Sequence, residues 1–155
     1  SYVDGRNTQD IDFIMSRQSL ETLSELNIIE ENNDFARASF NNLQVDIRLD
    51  RNSLFNTVHK QHSRQQNFGT LTIQTSTVEG LVLLKLYALP SLYRQGKFDK
   101  VSIYETDILL LLLLRYTVDL GKLLDTLKAH VLASDLDEIK QIVSDIQKRL
   151  NRFQP

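Results

Sequence analysis

Residues 35–50 read FARASFNNLQVDIRLD. In the second half of this stretch Leu43, Val45, Ile47 and Leu49 alternate with Gln44, Asp46, Arg48 and Asp50. That is the period-two pattern of a strand with one apolar and one polar face. Asn41-Asn42 interrupts the run with two residues that favour turns. The stretch therefore predicts a hairpin, with Phe35–Phe40 as one arm and Leu43–Leu49 as the other.

Working outward, DIDFIMS (10–16) reads as a further strand. RQSLETLSELNIIEENN (17–33) places Leu20, Leu23, Leu26 and Ile29 at helical spacing and ends in an Asn-rich polar stretch, so a helix is expected there. NSLFNTVHKQH (52–62) predicts a short helix capped by Asn52 or Ser53, and GTLTIQTS (69–76) another strand.

Beyond Ser76 the pattern turns helical. A helix is expected over Thr77–Tyr93, kinked or ended by Pro90, followed by a loop at GKFDK (96–100). A second helix, Tyr104–Val118, holds the run ILLLLLL. Leu120–Leu132 is a third, set off by Asp119 and Gly121. A fourth, SDLDEIKQIVSDIQKRLNRF (134–153), is capped by Ser134 or Asp135 and carries Lys148, Arg149 and Arg152 near its end, where cations complement the helix dipole. The expectation is an α+β chain: a mixed α/β core over 1–76 and a helical C-terminal region over 77–155.

Composition narrows the chemistry. The chain has 155 residues, 41% hydrophobic and 25% charged, and a formal net charge of -2. That is long enough to bury a core without staples. It contains no cysteine, which excludes disulfides, zinc–thiolate sites and cysteine nucleophiles and fits a cytoplasmic protein. The net charge offers no global attraction to nucleic acid. The run Ile108–Leu114 is bracketed by Asp107 and Arg115 and falls far short of the roughly 20 residues needed to span a bilayer. It reads as a helix buried in a bundle, so no membrane partner is expected. The leucine-rich helix is the candidate homodimer interface. No G-x-S-x-G, P-loop or H-E-x-x-H pattern is present.

The acids are the chemical signal. Asp10 and Asp12 are one residue apart in a strand, so they share a face, and like charges so placed repel. Asp46 lies on the polar face of another strand. If the two strands are neighbours, three carboxylates converge. A divalent cation with hard oxygen preferences, Mg²⁺ or Mn²⁺, would compensate them. A D-x-D pair taken alone is a weak signal and reads first as a solvated strand end.

GRNTQDIDFIM followed by LQVDIRLD on a later strand resembles the nucleotidyltransferase superfamily with the DNA polymerase beta-like fold. Thr8, Asp10 and Asp12 match its T-x-D-x-D element, and Asp46 its third acid. VEGLVLLKLYALPSLYRQGKFDK and YETDILLLLL resemble the AbiEii-type branch, whose Lys, Arg and further Asp fall at Lys85, Arg94 and Asp107. The resemblance covers about residues 6–114. It implies a mixed nucleotidyltransferase-type sheet followed by a helical bundle. The implied activity transfers a nucleoside monophosphate from an NTP to an acceptor hydroxyl on a tRNA end, a protein or a small molecule, in a toxin–antitoxin or phage-defence setting.

The resemblance assigns Asp10, Asp12 and Asp46 to the metals, Asp46 also to deprotonation of the acceptor, and Thr8, Lys85 and Arg94 to the nucleotide, with Lys85 also in the catalytic set. The family's Gly-Gly or Gly-Ser element belongs some ten residues before Asp10. VDG (3–5) does not match it, so further sequence upstream of Ser1 is expected; a degenerate, non-catalytic relative acting as a binding or regulatory module is the alternative.

Each assignment has a plainer counterpart. Thr8 can cap a local turn and Arg6 can be a solvated loop residue. Lys85 can snorkel from an apolar helix. Arg94 and Lys97 can serve a helix end, and Asp107 can sit in the first turn of the leucine-rich helix. Asp50 falls at a strand end. His59 and His62 stand i, i+3 on the helix expected there, with no third ligand evident, and read as surface residues.

Overall fold

A computed structural model describes residues 10–114 and 117–153; the side chains of 10–12, 66, 68 and 71–73 are outside the description. Thr8 and Arg6 lie outside the described residues. The chain is α+β: a four-stranded mixed sheet with its helices, then a C-terminal region of four helices.

The sheet contains β1 (Asp10–Met15), β2 (Asn27–Glu31), β3 (Phe35–Phe40) and β4 (Leu43–Leu49), in the spatial order β1-β4-β3-β2. The hairpin forms with the expected arms. Asn41 and Asn42 both take positive φ, 48° and 67°, the conformation that a two-residue hairpin turn demands and that Asn accepts better than most residues. β1 runs parallel to β4, whereas β3 is antiparallel to both β4 and β2.

One face of the sheet is apolar. Ala36, Ala38, Val45, Ile47 and Leu49 are buried there with Leu20 of α1 (Arg17–Glu21). Residues 17–31 therefore differ from expectation. The helix lasts five residues, capped by Ser16, and Asn27–Glu31 pairs with β3. The spacing of Leu20, Leu23, Leu26 and Ile29 suits a helix locally, but the open edge of β3 satisfies a row of backbone groups that a solvated helix would not bring to the sheet.

Asn52 caps α2 (Ser53–Gln61) by accepting from the backbone of Leu54 and Phe55. It is buried, and its amide also donates to Asp34 and to the Tyr87 hydroxyl, each at 3.1 Å. This ties the loop after β2, the start of α2 and the first bundle helix together. β5 (Ser63–Phe68) and β6 (Leu71–Ser76) form a separate two-stranded sheet. β5 had no signature in sequence, because SRQQNF lacks apolar alternation.

α3 spans Val78–Arg94 and α4 spans Phe98–Leu114. One alternative and one expectation are corrected here. Pro90 does not end α3: the helix continues through it to Arg94, and Pro90 is buried with Leu86 and Leu89. GKFDK is mostly helix. Gly96, at φ 68°, lets the Lys97 N–H reach Leu92 O at 3.0 Å and its own N–H reach Tyr93 O at 3.1 Å. That closes α3 in a tight left-handed cap, and α4 begins one residue after Lys97.

α5 (Leu120–Lys128) is capped by Asp119. α6 (Ala133–Phe153) starts before the expected caps: Leu136 N–H bonds Leu132 O, so Ser134 and Asp135 lie inside the helix. The larger core crosses Ser76, joining Leu54, Phe55 and Val58 of α2 to the buried faces of α3–α6. The leucine run belongs to that core: Ile108, Leu109, Leu111 and Leu112 are buried and Leu114 is exposed. No helix among the described residues is long and apolar enough to cross a membrane.

Candidate acidic site on the sheet

The second face of the sheet is built in ranks, because residues paired across adjacent strands share a face. In one rank Ile14, Arg48 and Phe35 are partners across β1, β4 and β3. The helical layer packs against part of that rank. Ile14 packs on the bundle core, and the Phe35 ring meets Phe55 of α2 edge-on at 5.3 Å, which meets Tyr87 of α3 at 5.7 Å.

Two residues along each strand, about 7 Å away at the usual strand rise, lies the next rank on this face. It runs Asp12, Asp46, Arg37, Glu30 across β1, β4, β3 and β2. The Arg37 Nε donates to Asp46 Oδ1 at 3.1 Å, and its terminal nitrogen donates to Glu30 Oε1 at 3.1 Å. Gln44, the partner of Asp10, approaches both oxygens of Asp46 at 3.5 Å. The rank thus holds three carboxylate residues and one guanidinium.

Asp10, Asp12 and Asp46 are therefore brought to adjoining register positions on parallel neighbours. Carboxylates are hard oxygen donors of the kind that Mg²⁺ or Mn²⁺ takes; the side chains of Asp10 and Asp12 lie outside the description, and the described residues by themselves form no group of three or more that could hold a metal. Asp50 falls past the end of β4, where its backbone N–H bonds Met15 O.

The other expected residues sit in the bundle. Lys85 lies mid-α3 and donates to Asp107 Oδ2 at 3.0 Å, with side chains 20% and 7% exposed. Its ammonium also stands 4.5 Å from the centre of the Tyr104 ring, a cation–π contact. Asp107 is not at a helix start. α4 begins at Phe98, so Asp107 is an interior residue and the first-turn reading fails for it. Arg94 closes α3 and donates to Asp135 of α6 at 2.7 Å, joining the two helices. His59 lies on α2 and His62 is its C-cap.

Arg37 and Glu30 were not singled out in the sequence. Arg37 was within reach: an Asn41-Asn42 hairpin pairs position 40 with 43 and hence 37 with 46. Glu30 was not, because its segment was expected to be helical. No protein-family model matches the chain, and no match to it is found among curated proteins.

Proposed function

We propose that this chain is the core of a metal-dependent nucleotidyltransferase that moves a nucleoside monophosphate from an NTP to an acceptor hydroxyl. One observation carries the reading: Asp12 and Asp46 are direct partners across the parallel β1/β4 pair, with Asp10 two residues before Asp12. A sheet does not keep like charges opposite one another without a compensating partner or use.

In this reading Asp10, Asp12 and Asp46 hold the cation. A bound Mg²⁺ or Mn²⁺ supplies charge neutralisation for the triphosphate. Asp46 takes the proton of the acceptor hydroxyl as its oxygen forms a bond to the α-phosphorus. The bond from that phosphorus to the pyrophosphate oxygen breaks, and pyrophosphate leaves with the electron pair. Lys85, which pairs with Asp107 in the bundle, and Thr8 and Arg94 are assigned to the nucleotide by the family resemblance alone. Catalysis rests on orientation and electrostatic complementarity.

The test is thermal unfolding of the full-length protein with each NTP, with and without Mg²⁺. A stabilisation that needs both nucleotide and metal is expected, and Asp10→Ala with Asp12→Ala should remove it. A full-length protein with no metal-dependent shift for any NTP refutes the reading.

The Arg37–Asp46 pair favours a second reading, a non-catalytic relative in which a basic side chain has taken over the neutralising role. Metal-dependent NTP binding without transfer of label from α-labelled NTP would select it.

A further inference from the structure

We infer that Ser53 is a base-activated hydroxyl, with His130 as its base, and that it takes the acyl group of an activated ester. Three side chains of the helical layer carry this, independently of the acids on the sheet. Ser53 opens α2 and Thr57 follows it by four residues, so both hydroxyls lie on one side of that helix. His130 comes from the turn between α5 and α6, where its backbone N–H bonds Leu127 O at 2.9 Å. Its ring reaches both hydroxyls: Nδ1 is 2.7 Å from Ser53 Oγ, and Nε2 is 3.5 Å from Thr57 Oγ1.

The tautomer follows from counting protons. A threonine hydroxyl has one proton to give, and Thr57 gives it to Ser53 O at 3.1 Å. Toward His130 it can therefore only accept, which puts the ring proton on Nε2. Nδ1 is left with a lone pair, and the group it faces is the Ser53 hydroxyl. A neutral imidazole accepting from a serine hydroxyl is the arrangement by which a base prepares a nucleophile. The ring is half-buried and Ser53 is exposed, so the base is held while the hydroxyl can be reached. Asn52 caps the next two N–H groups, those of Leu54 and Phe55, whereas among the described residues no acceptor meets the Ser53 N–H. That N–H stands at the positive end of α2, beside the oxygen that attacks, where it can meet a developing oxyanion.

In the step itself Ser53 Oγ bonds the acyl carbon as its proton passes to His130 Nδ1. Collapse of the tetrahedral adduct breaks the bond from that carbon to the leaving oxygen, which departs with the electron pair and takes the proton back from the imidazolium. Ser53 is left as an ester. Thr57 is a positioning residue, since it acts only through the ring.

The experiment treats the full-length protein with p-nitrophenyl acetate, locates acetyl groups by peptide mass spectrometry, and reads the His130 ring nitrogens by NMR. Ser53 should acetylate about a hundredfold faster than the exposed Ser102 and Ser134, the lower end of what a positioned base supplies. His130→Gln should bring Ser53 down to their rate. Thr57→Val should slow the reaction and move part of the neutral ring to the Nδ1–H tautomer, a change that a merely structural threonine would not produce. Acetylation of Ser53 no faster than that of Ser102 and Ser134, or unchanged in His130→Gln, overturns the inference. So does a wild-type neutral ring with its proton on Nδ1, a measurement that needs no variant and decides even where His130→Gln does not fold.

Discussion

Lys85 on α3 and Asp107 on α4 form a 3.0 Å ion pair in the chain's larger core, with the Tyr104 ring against the ammonium. The two charges compensate each other in a poorly solvated place. Asp107→Ala should cost about 2–4 kcal/mol in urea unfolding, the toll of removing one side of a largely buried ion pair. Lys85→Met combined with Asp107→Leu should recover a large part, since an apolar pair strands nothing. If Asp107→Ala melts like wild type, the pair has no structural weight.

Gly80 tests the junction between α3 and the segment after α2. A Cβ there would stand 2.7 Å from His62 O and 3.2 Å from a Val58 methyl. The His62 carbonyl is itself held, accepting from Thr77 N–H at 2.8 Å and the Thr77 hydroxyl at 3.1 Å. Gly80→Ala should therefore destabilise by about 1–3 kcal/mol, despite alanine's better helix propensity. Denaturant unfolding reads the sign directly.

Asn52 serves α2, Asp34 and Tyr87 together. Asn52→Ala removes the helix cap and two side-chain bonds at a buried position, for an expected loss of about 2 kcal/mol. Asn52→Asp keeps the cap but places a carboxylate against Asp34, so it should lie below wild type as well. Equal stability of all three proteins would contradict the hydrogen-bond network.

Tyr93 donates to Glu105 at 2.6 Å. That bond, then burial and the nearby negative charges, push its pKa from 10.0 up to about 12. A group whose value is raised in the fold stabilises it fully below pH 10 and loses that contribution as pH climbs through about 12. An alkaline absorbance titration should show a late-ionising component from Tyr93, lost in Tyr93→Phe and shifted toward pH 10 in Glu105→Gln. A Glu105→Gln titration identical to wild type would refute the assignment.

Local patterns carried much of this protein. The alternation in LQVDIRL, the Asn41-Asn42 turn, the Asn52 cap and the apolar spacing of α3, α5 and α6 depend on neighbours within a few residues, and each was legible. The acids Asp10, Asp12 and Asp46 were legible as candidates for the same reason. Elements whose stability comes from distant partners were not. Asn27–Glu31 is a strand because β3 offers it an edge, and SRQQNF is a strand because it folds back on β6. α4 starts at Phe98 because Gly96 turns the chain tightly enough to restart a helix at once.

The sequence by itself determined which residues could alternate, cap and turn, since those choices are made by dihedral preference and local hydrogen bonds. Only the tertiary structure decided that β1 lies parallel to β4, so that Asp12 falls opposite Asp46 in register, and that Arg37 and Glu30 complete the same rank. Strand pairing is a long-range choice, settled by burying one face of the sheet under α1 and part of the other under α2 and the bundle.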